Sequence, residues 1–276
     1  MDTHEDLDPA LRLGDLADRL TGPDPYAHLA QRFVSHYDSL RGAVRYALVS
    51  RQLDAHLQGG RLTIVDVGGG AGHQALRLAR AGHVVTLVDP SAEMIERARA
   101  ALADEPAEIS DRVELVLADA KQASTALRTR FDVVCCHAVL PYVDDGPELV
   151  DHVARLAGRG AVLSLVFKNA DALAMRPALE GRWADAVAAF DRQEDVGGLG
   201  VPTRAHRLAD VETWVRDAGF EVEDWYGIRV ATDHLTGASS DHLDDVLPVE
   251  IEASRRDPYR ALGRLIHLVA RAGEAP

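Results

Sequence analysis

Leu62-Thr63-Ile64-Val65-Asp66-Val67-Gly68-Gly69-Gly70-Ala71-Gly72 is the stretch that decides the fold. A short, β-branched apolar run is followed at once by a glycine cluster, and residues 73–81 then take up a helical pattern. A strand, a glycine turn and a helix in direct succession form the opening unit of a nucleotide-binding α/β fold, in which the turn lets backbone N–H groups approach a ligand.

Outward from this stretch the same rhythm continues. Residues 83–88 read as a second strand and 91–103 as a helix, with Ser91 a suitable N-cap. Residues 113–117 and 131–138 read as further strands. A helix over 147–156 starts on Pro147, and a fifth strand spans 160–167. Strands alternating with helices predict a mostly parallel sheet covered on both faces. After Phe167 the alternation breaks into an irregular or helical insertion over 168–202. A helix over 206–218, a strand over 221–230, a helix over 241–256 and a strand over 262–270 complete the chain. On the other side of the glycine turn, Leu29, Phe33, Tyr37, Leu40 and Val44 recur at helical spacing. The expected fold class is therefore α/β: a Rossmann-like, seven-stranded, mostly parallel sheet with an N-terminal helical extension and a helical insertion after strand 5. Residues 1–25 read as an acidic lead-in, and 26–276 as one domain. That domain divides into N-terminal helices (26–60), a cofactor-binding core (61–167), and an acceptor-side insertion with closing strands (168–276).

Composition narrows the class. The chain has 276 residues and a formal net charge of −14, which repels phosphate backbones at long range. No stretch has the roughly 18 uncharged apolar residues that a membrane span needs. The acidic start lacks the basic, apolar pattern of a signal peptide, so a cytoplasmic location is expected. Cys135 and Cys136 are adjacent, would point to opposite faces of a strand, and should stay unpaired. No metal framework is expected.

The glycine spacing then separates two ligand chemistries. A nicotinamide or flavin protein would carry Gly-x-Gly-x-x-Gly; here the glycines fall at 68, 70 and 72, and position 73 is His. Asp66 lies two residues before the first of them, where a carboxylate disfavours a pyrophosphate and favours a ligand with a cationic end. S-adenosylmethionine has an ammonium, a sulfonium and no phosphate. Asp89 ends the second strand, where an acid accepts hydrogen bonds from ribose hydroxyls, and Asp119 follows the third. The order Asp66-x-Gly-x-Gly-x-Gly, Asp89, Asp119 resembles the class I methyltransferases, and a dehydrogenase or a non-catalytic binding protein fits it less well.

Longer segments carry a narrower resemblance. Residues 136–142 (CHAVLPY), 163–170 (LSLVFKNA), 227–230 (GIRV) and 257–267 (DPYRALGRLIH), with Ala30, Phe33, Tyr37, Gly42 and Arg45, are similar to the tRNA 5-carboxymethoxyuridine methyltransferases. The similarity runs from about residue 26 to 271. It implies that Arg45 meets the cofactor's carboxylate and that Gly68, Gly70 and Gly72 line its methionine part. By the same resemblance Asp89 holds the ribose, Asp119 and Ala120 the adenine, and His137 sits where cofactor and acceptor meet. Asn169, Arg204, Arg229, Tyr259 and Arg264 would face the acceptor, a carboxylate on a modified wobble uridine in tRNA. A carboxylate acceptor is already ionised, so alignment by a bidentate arginine such as Arg229 suffices; a hydroxyl acceptor would need a base, for which His137 is the candidate. Residues 185–202 depart from the family, carrying Asp191, Glu194 and Asp195 and then Gly197-Gly198, and acids outnumber bases over 200–271. A small-molecule acceptor is therefore the alternative to tRNA.

Overall fold

A central parallel strand with a neighbour on each side is the consequence of the apolar run at 62–67. In the computed structural model, which describes residues 39–196 and 200–273, β1 (Thr63–Val67) pairs in parallel with β2 (Val84–Asp89) on one side and β4 (Phe131–His137) on the other. Both faces of β1 are covered by helices, so Ile64, Val65 and Val67 can be apolar in succession. Beyond β2 lies β3 (Val113–Leu117), and beyond β4 lies β5 (Ala157–Lys168). Two closing strands follow, β9 (Leu265–Ala272) antiparallel to β5, and β8 (Phe220–Ile228) antiparallel to β9. The seven strands run β3-β2-β1-β4-β5-β9-β8. Successive connections leave β1 in opposite directions, which opens a crevice at the carboxyl ends of β1 and β4.

Helices α1 (Leu40–His56), α2 (His73–Arg80), α3 (Ala92–Ala103), α4 (Ala107–Ser110), α5 (Ala120–Ala126), α6 (Gly146–Ala154) and α9 (Leu208–Asp217) accompany the sheet. The side chains of β1 alternate between two cores. Ile64 packs with Leu53, Leu78, Leu87 and Ile95 on one face, while Val65 and Val67 pack with Leu149, Val153, Val211 and Val215 on the other. Cys135 joins the first core and Cys136 the second, and both are buried free thiols. Ser91 caps α3 as its sequence position predicts, its hydroxyl accepting from the Met94 N–H at 3.3 Å.

Elsewhere the structure differs from the expectation. The segment after β5 holds two short helices, α7 (Met175–Leu179) and α8 (Trp183–Ala189), but also a β-hairpin of β6 (Glu194–Val196) and β7 (Pro202–Arg204). Lys168 and Arg264 draw Asp195 of this hairpin inward, the lysine Nζ lying 2.8 Å away. The acids of the insertion therefore do not all face solvent. Helix α5 has no apolar stripe for periodicity to detect and is set instead by a capping box between Asp119 and Gln122. The final strand starts at Leu265 rather than 262, because 259–262 form a 3-10 turn. Helix α10 (Leu243–Ser254) matches its expected place. The expectations for residues 1–38, including Leu29, Ala30, Phe33 and Tyr37, and for Gly197-Gly198 fall outside the described residues.

Candidate active site

The loop after β1 is pulled against β2. The N–H groups of Gly68 and Gly69 both donate to the Val88 carbonyl, at 2.8 and 3.2 Å. This close approach requires glycine. A Cβ on Gly68, which has φ of +71°, would lie 2.3 Å from Val139 Cγ2, and one on Gly69 would lie 2.7 Å from Leu87 Cγ. Gly72, also left-handed at φ 87°, ends the loop and starts α2.

Asp66 sits beneath this loop. It is 2% exposed, and its Oδ2 has no hydrogen-bond partner among the described residues. Burial, with the charge of Asp89 adding to it and Arg77 opposing, pushes its carboxyl up to about 7. It lines a pocket of about 450 Å³ together with Arg45, Gly68, Gly69, Gln74 and His137. A buried, unsatisfied carboxylate facing an arginine fits a zwitterion, the ammonium toward Asp66 and the carboxylate toward Arg45. The methionine end of S-adenosylmethionine is such a group. Tyr46 of α1 donates to the His73 carbonyl at 3.2 Å, tying the helix that carries Arg45 to the start of α2.

Asp89 braces the same loop. Its Oδ2 accepts from the Gly70 N–H and its Oδ1 from the Ser91 N–H, both at 2.9 Å. Asp119 caps α5 at the end of β3, and Ala120 is the first residue of that helix. Asp66, Asp89 and Asp119 thus stand at the carboxyl ends of β1, β2 and β3, three adjacent strands. With about 4.8 Å between strands, the row spans roughly 10 Å.

His137 ends β4 on the opposite wall, its Nε2 2.8 Å from Ser164 Oγ. Burial first, then Arg45 and Arg77, depress its conjugate acid to about 3. A ring that weakly basic stays neutral, which counts against the general-base role that a hydroxyl acceptor would ask of it.

A second pocket, of about 240 Å³, opens beyond the end of β5. Arg229, Arg176, Arg264 and Asp233 line it, with Leu179 and Leu262 at its rim. Arg229 follows β8 in a left-handed conformation, φ 58°, and its side chain is buried. That turn is held by Glu250, a fully buried carboxylate accepting from the N–H groups of Val230, Ala231 and Thr232 and from the Thr232 hydroxyl. Arg176 forks onto Asp233, at 2.6 and 2.9 Å, while Arg229 Nε lies 3.3 Å from the same carboxylate without hydrogen-bond geometry. Burial would raise Asp233, but Arg229 and Arg176 overcome it and hold it at about 2. Burial lowers Arg229 to about 10, with Arg176, Arg41 and Arg45 adding to the effect and Asp233 opposing it. Arg41, Arg45, Arg176, Arg229, Arg264 and Lys168 therefore converge on one locus against Asp233, Asp195 and Glu180. In a chain of net charge −14, basic side chains outnumber acidic ones, Glu250 included, at this locus among the described residues.

A family model described as "Methyltransferase domain" matches residues 65–165, from β1 through β5. Over 249 residues the chain is 32% identical to the tRNA 5-carboxymethoxyuridine methyltransferase of Escherichia coli, covering 88% of this chain and 94% of that protein. This chain belongs to that family. It is an S-adenosylmethionine-dependent methyltransferase with the family's Rossmann-like fold. A more distant relative, the ubiquinone biosynthesis O-methyltransferase of Xanthomonas oryzae, is 29% identical over 191 residues, covering 67% of this chain and 72% of that one. The magnesium protoporphyrin IX methyltransferase of Synechocystis, solved with bound S-adenosylmethionine, shares the fold at a TM-score of 0.53 and 18% identity. That match covers 97% of this chain and all (100%) of the other.

Within this methyltransferase the residues expected to face the acceptor separate. Arg229 and Arg264 line the second pocket. Asn169 does not: it is buried, its Nδ2 donates to the carbonyls of Ala261 and Gly263, and its Oδ1 accepts from the Asp171 N–H. Its side chain joins β5 to the turn before β9, which corrects the expectation that it faces a ligand. Arg204 pairs at the surface with Asp144 at 3.1 Å, and Tyr259 is 56% exposed. Sequence reasoning missed Arg176 and Asp233, which lie in the insertion after β5 and the loop after β8, and Glu250, which sits on the expected helix α10 with no local pattern to mark its role. It also missed Ser164 and His267, which read as ordinary strand residues.

Proposed function

We propose that this methyltransferase transfers a methyl group from S-adenosylmethionine to the carboxylate of 5-carboxymethoxyuridine in tRNA, giving a methyl ester. The observation that carries this reading is the arginine-lined pocket beside the cofactor pocket, a locus of positive charge in an acidic protein. Arginine forks match carboxylates in shape as well as charge. In this reading Arg45, Asp66, Gly68, Gly70 and Gly72 hold the cofactor's methionine part, Asp89 its ribose, and Asp119 with Ala120 its adenine edge. The bound cofactor supplies an electrophilic methyl on a sulfonium. Arg229, Arg176 and Arg264 orient the acceptor carboxylate, which is ionised at neutral pH and needs no base. The weakly basic His137 accords with that chemistry. Closing the two pockets around the reactants excludes water and aligns them, which is most of what such a displacement requires.

The net charge of −14 favours a second reading, a small acidic metabolite as acceptor, since the chain as a whole repels a phosphate backbone. Methyl transfer from labelled S-adenosylmethionine to tRNA pools with and without 5-carboxymethoxyuridine, followed by nucleoside mass spectrometry, separates the two. A methyl ester in the modified pool alone supports the RNA reading. No transfer to either pool, with cofactor binding intact, overturns it in favour of small carboxylates.

A further inference from the structure

Behind the cofactor pocket runs a buried line of polar side chains that the chemistry above does not use. His137 Nε2 lies 2.8 Å from Ser164 Oγ, and the same hydroxyl lies 2.8 Å from His267 Nε2. His267 Nδ1 in turn lies 2.8 Å from Gln52 Oε1. Four elements contribute one residue each: β4, β5, β9 and α1. Ser164 and His267 are fully buried and Gln52 nearly so. Gln52 shares a face of α1 with Val49 and Arg45, which line the cofactor pocket one and two turns earlier.

The hydrogen-bond inventory of these groups dictates a direction. A hydroxyl has one proton, so at most one of the two ring nitrogens facing Ser164 Oγ can receive it, and if one does, the other must donate. Gln52 settles which. Its carbonyl oxygen faces His267 and can only accept, so His267 carries its proton on Nδ1 and leaves Nε2 as an acceptor. Ser164 then donates to His267, and its oxygen accepts from His137 Nε2–H. His137 Nδ1 is left as a lone pair. This nitrogen has no hydrogen-bond partner among the described residues and is not sealed from the pocket that His137 lines.

We infer that Gln52, His267 and Ser164 are positioning residues that hold His137 as its Nε2–H tautomer, turning the Nδ1 lone pair toward the cation-bearing methionine end of the cofactor. The pocket then presents two electron-rich groups to that end, the Asp66 carboxylate and the His137 lone pair. The opposite tautomer would aim an N–H dipole at a cation and replace attraction by repulsion. Burial keeps both rings neutral, so the order is fixed by hydrogen bonding alone and persists across the working pH range. The inference rests on the cofactor and not on the identity of the acceptor.

The test uses the full chain with ¹⁵N-labelled histidine, with His137 assigned by the signal that a His137→Gln variant loses. Long-range ¹H–¹⁵N spectra read which ring nitrogen carries the proton, and calorimetry reads the S-adenosylmethionine Kd. The expected wild-type pattern is protonated Nε2 and bare Nδ1. Ser164→Ala should mix the two tautomers and weaken cofactor binding about tenfold, as expected for losing one oriented hydrogen bond of about 1.4 kcal/mol. Ser164→Thr, which keeps the hydroxyl, should restore both readouts. Gln52→Met removes the director at the far end of the line; it should mix the tautomers without touching the pocket, and it serves as the test if Ser164→Ala fails to fold. A wild-type His137 protonated on Nδ1 overturns the inference. So does an unchanged tautomer and Kd in either variant.

Discussion

Cofactor binding by this methyltransferase should weaken in mild acid because of Asp66. In the folded protein without a cation beside it, burial holds this carboxyl at about 7, against an ordinary value of 3.8. A shift of roughly three units corresponds to about 4 kcal/mol against the charged form. The folded pKa lies above the unfolded one, so the group's contribution to stability declines as pH rises from about 4 to about 7. The cofactor's cationic end requires the ionised form, so below about pH 7 a proton must leave on binding. The apparent Kd should rise about eightfold between about pH 7.5 and about pH 6. His137, with its value near 3, stays neutral throughout and adds nothing to this slope. Isothermal titration calorimetry at both pH values, in buffers of different ionisation enthalpy, reads the Kd and the proton released. Asp66→Asn should abolish the pH dependence and bind poorly. It should also raise the unfolding temperature of the ligand-free protein at pH 7.5, by roughly 10 °C if the full 4 kcal/mol is recovered. A flat Kd across this window, or Asp66→Asn binding with wild-type affinity and slope, would refute the assignment of Asp66 as the ammonium partner.

Other perturbations probe the acceptor side and the frame that holds it. Arg229→Lys keeps the charge but loses the planar fork; steady-state kinetics should show the acceptor KM raised about tenfold with the cofactor Kd nearly unchanged. An unaltered acceptor KM would exclude Arg229 from substrate binding. Glu250→Gln removes part of a carboxylate that accepts four hydrogen bonds. Denaturant unfolding should show a loss of about 2–3 kcal/mol, with the acceptor KM rising as the 229–233 turn loosens. Gly227→Ala would place a Cβ 2.2 Å from the Arg260 carbonyl oxygen, a backbone atom that cannot rotate away. Its thermal midpoint should fall by several degrees, for a cost of about 3 kcal/mol, and an unchanged midpoint would contradict the close contact of β8 with the 259–262 turn.

Much of the frame was legible in the chain because its signals are local. Strand runs, glycine turns and caps act within a few residues, so β1 to β5 and helices α2, α3 and α6 follow from local pattern. The elements that periodicity misplaced have local signals that are weak or contradictory. The hairpin of β6 and β7 depends on Asp195 meeting Lys168 and Arg264, partners remote in sequence. Helix α5 depends on one capping box rather than on an apolar stripe.

The candidate site divides along the same line. Sequence alone determined that a carboxylate and a glycine turn stand together at the end of β1, because residues 66 to 72 are contiguous and a strand-turn-helix has one geometry. It also determined that Asp89 and Asp119 end the next two strands. Only the tertiary structure decided which distant residues complete the pockets. It folded Asn169 away into a cross-tie, gathered Arg176, Arg229 and Arg264 around Asp233, and joined Gln52, His267 and Ser164 to His137. These groupings arise where β9 inserts between β5 and β8. That pairing brings residues from several tens to about a hundred positions apart into contact, and no local pattern records it.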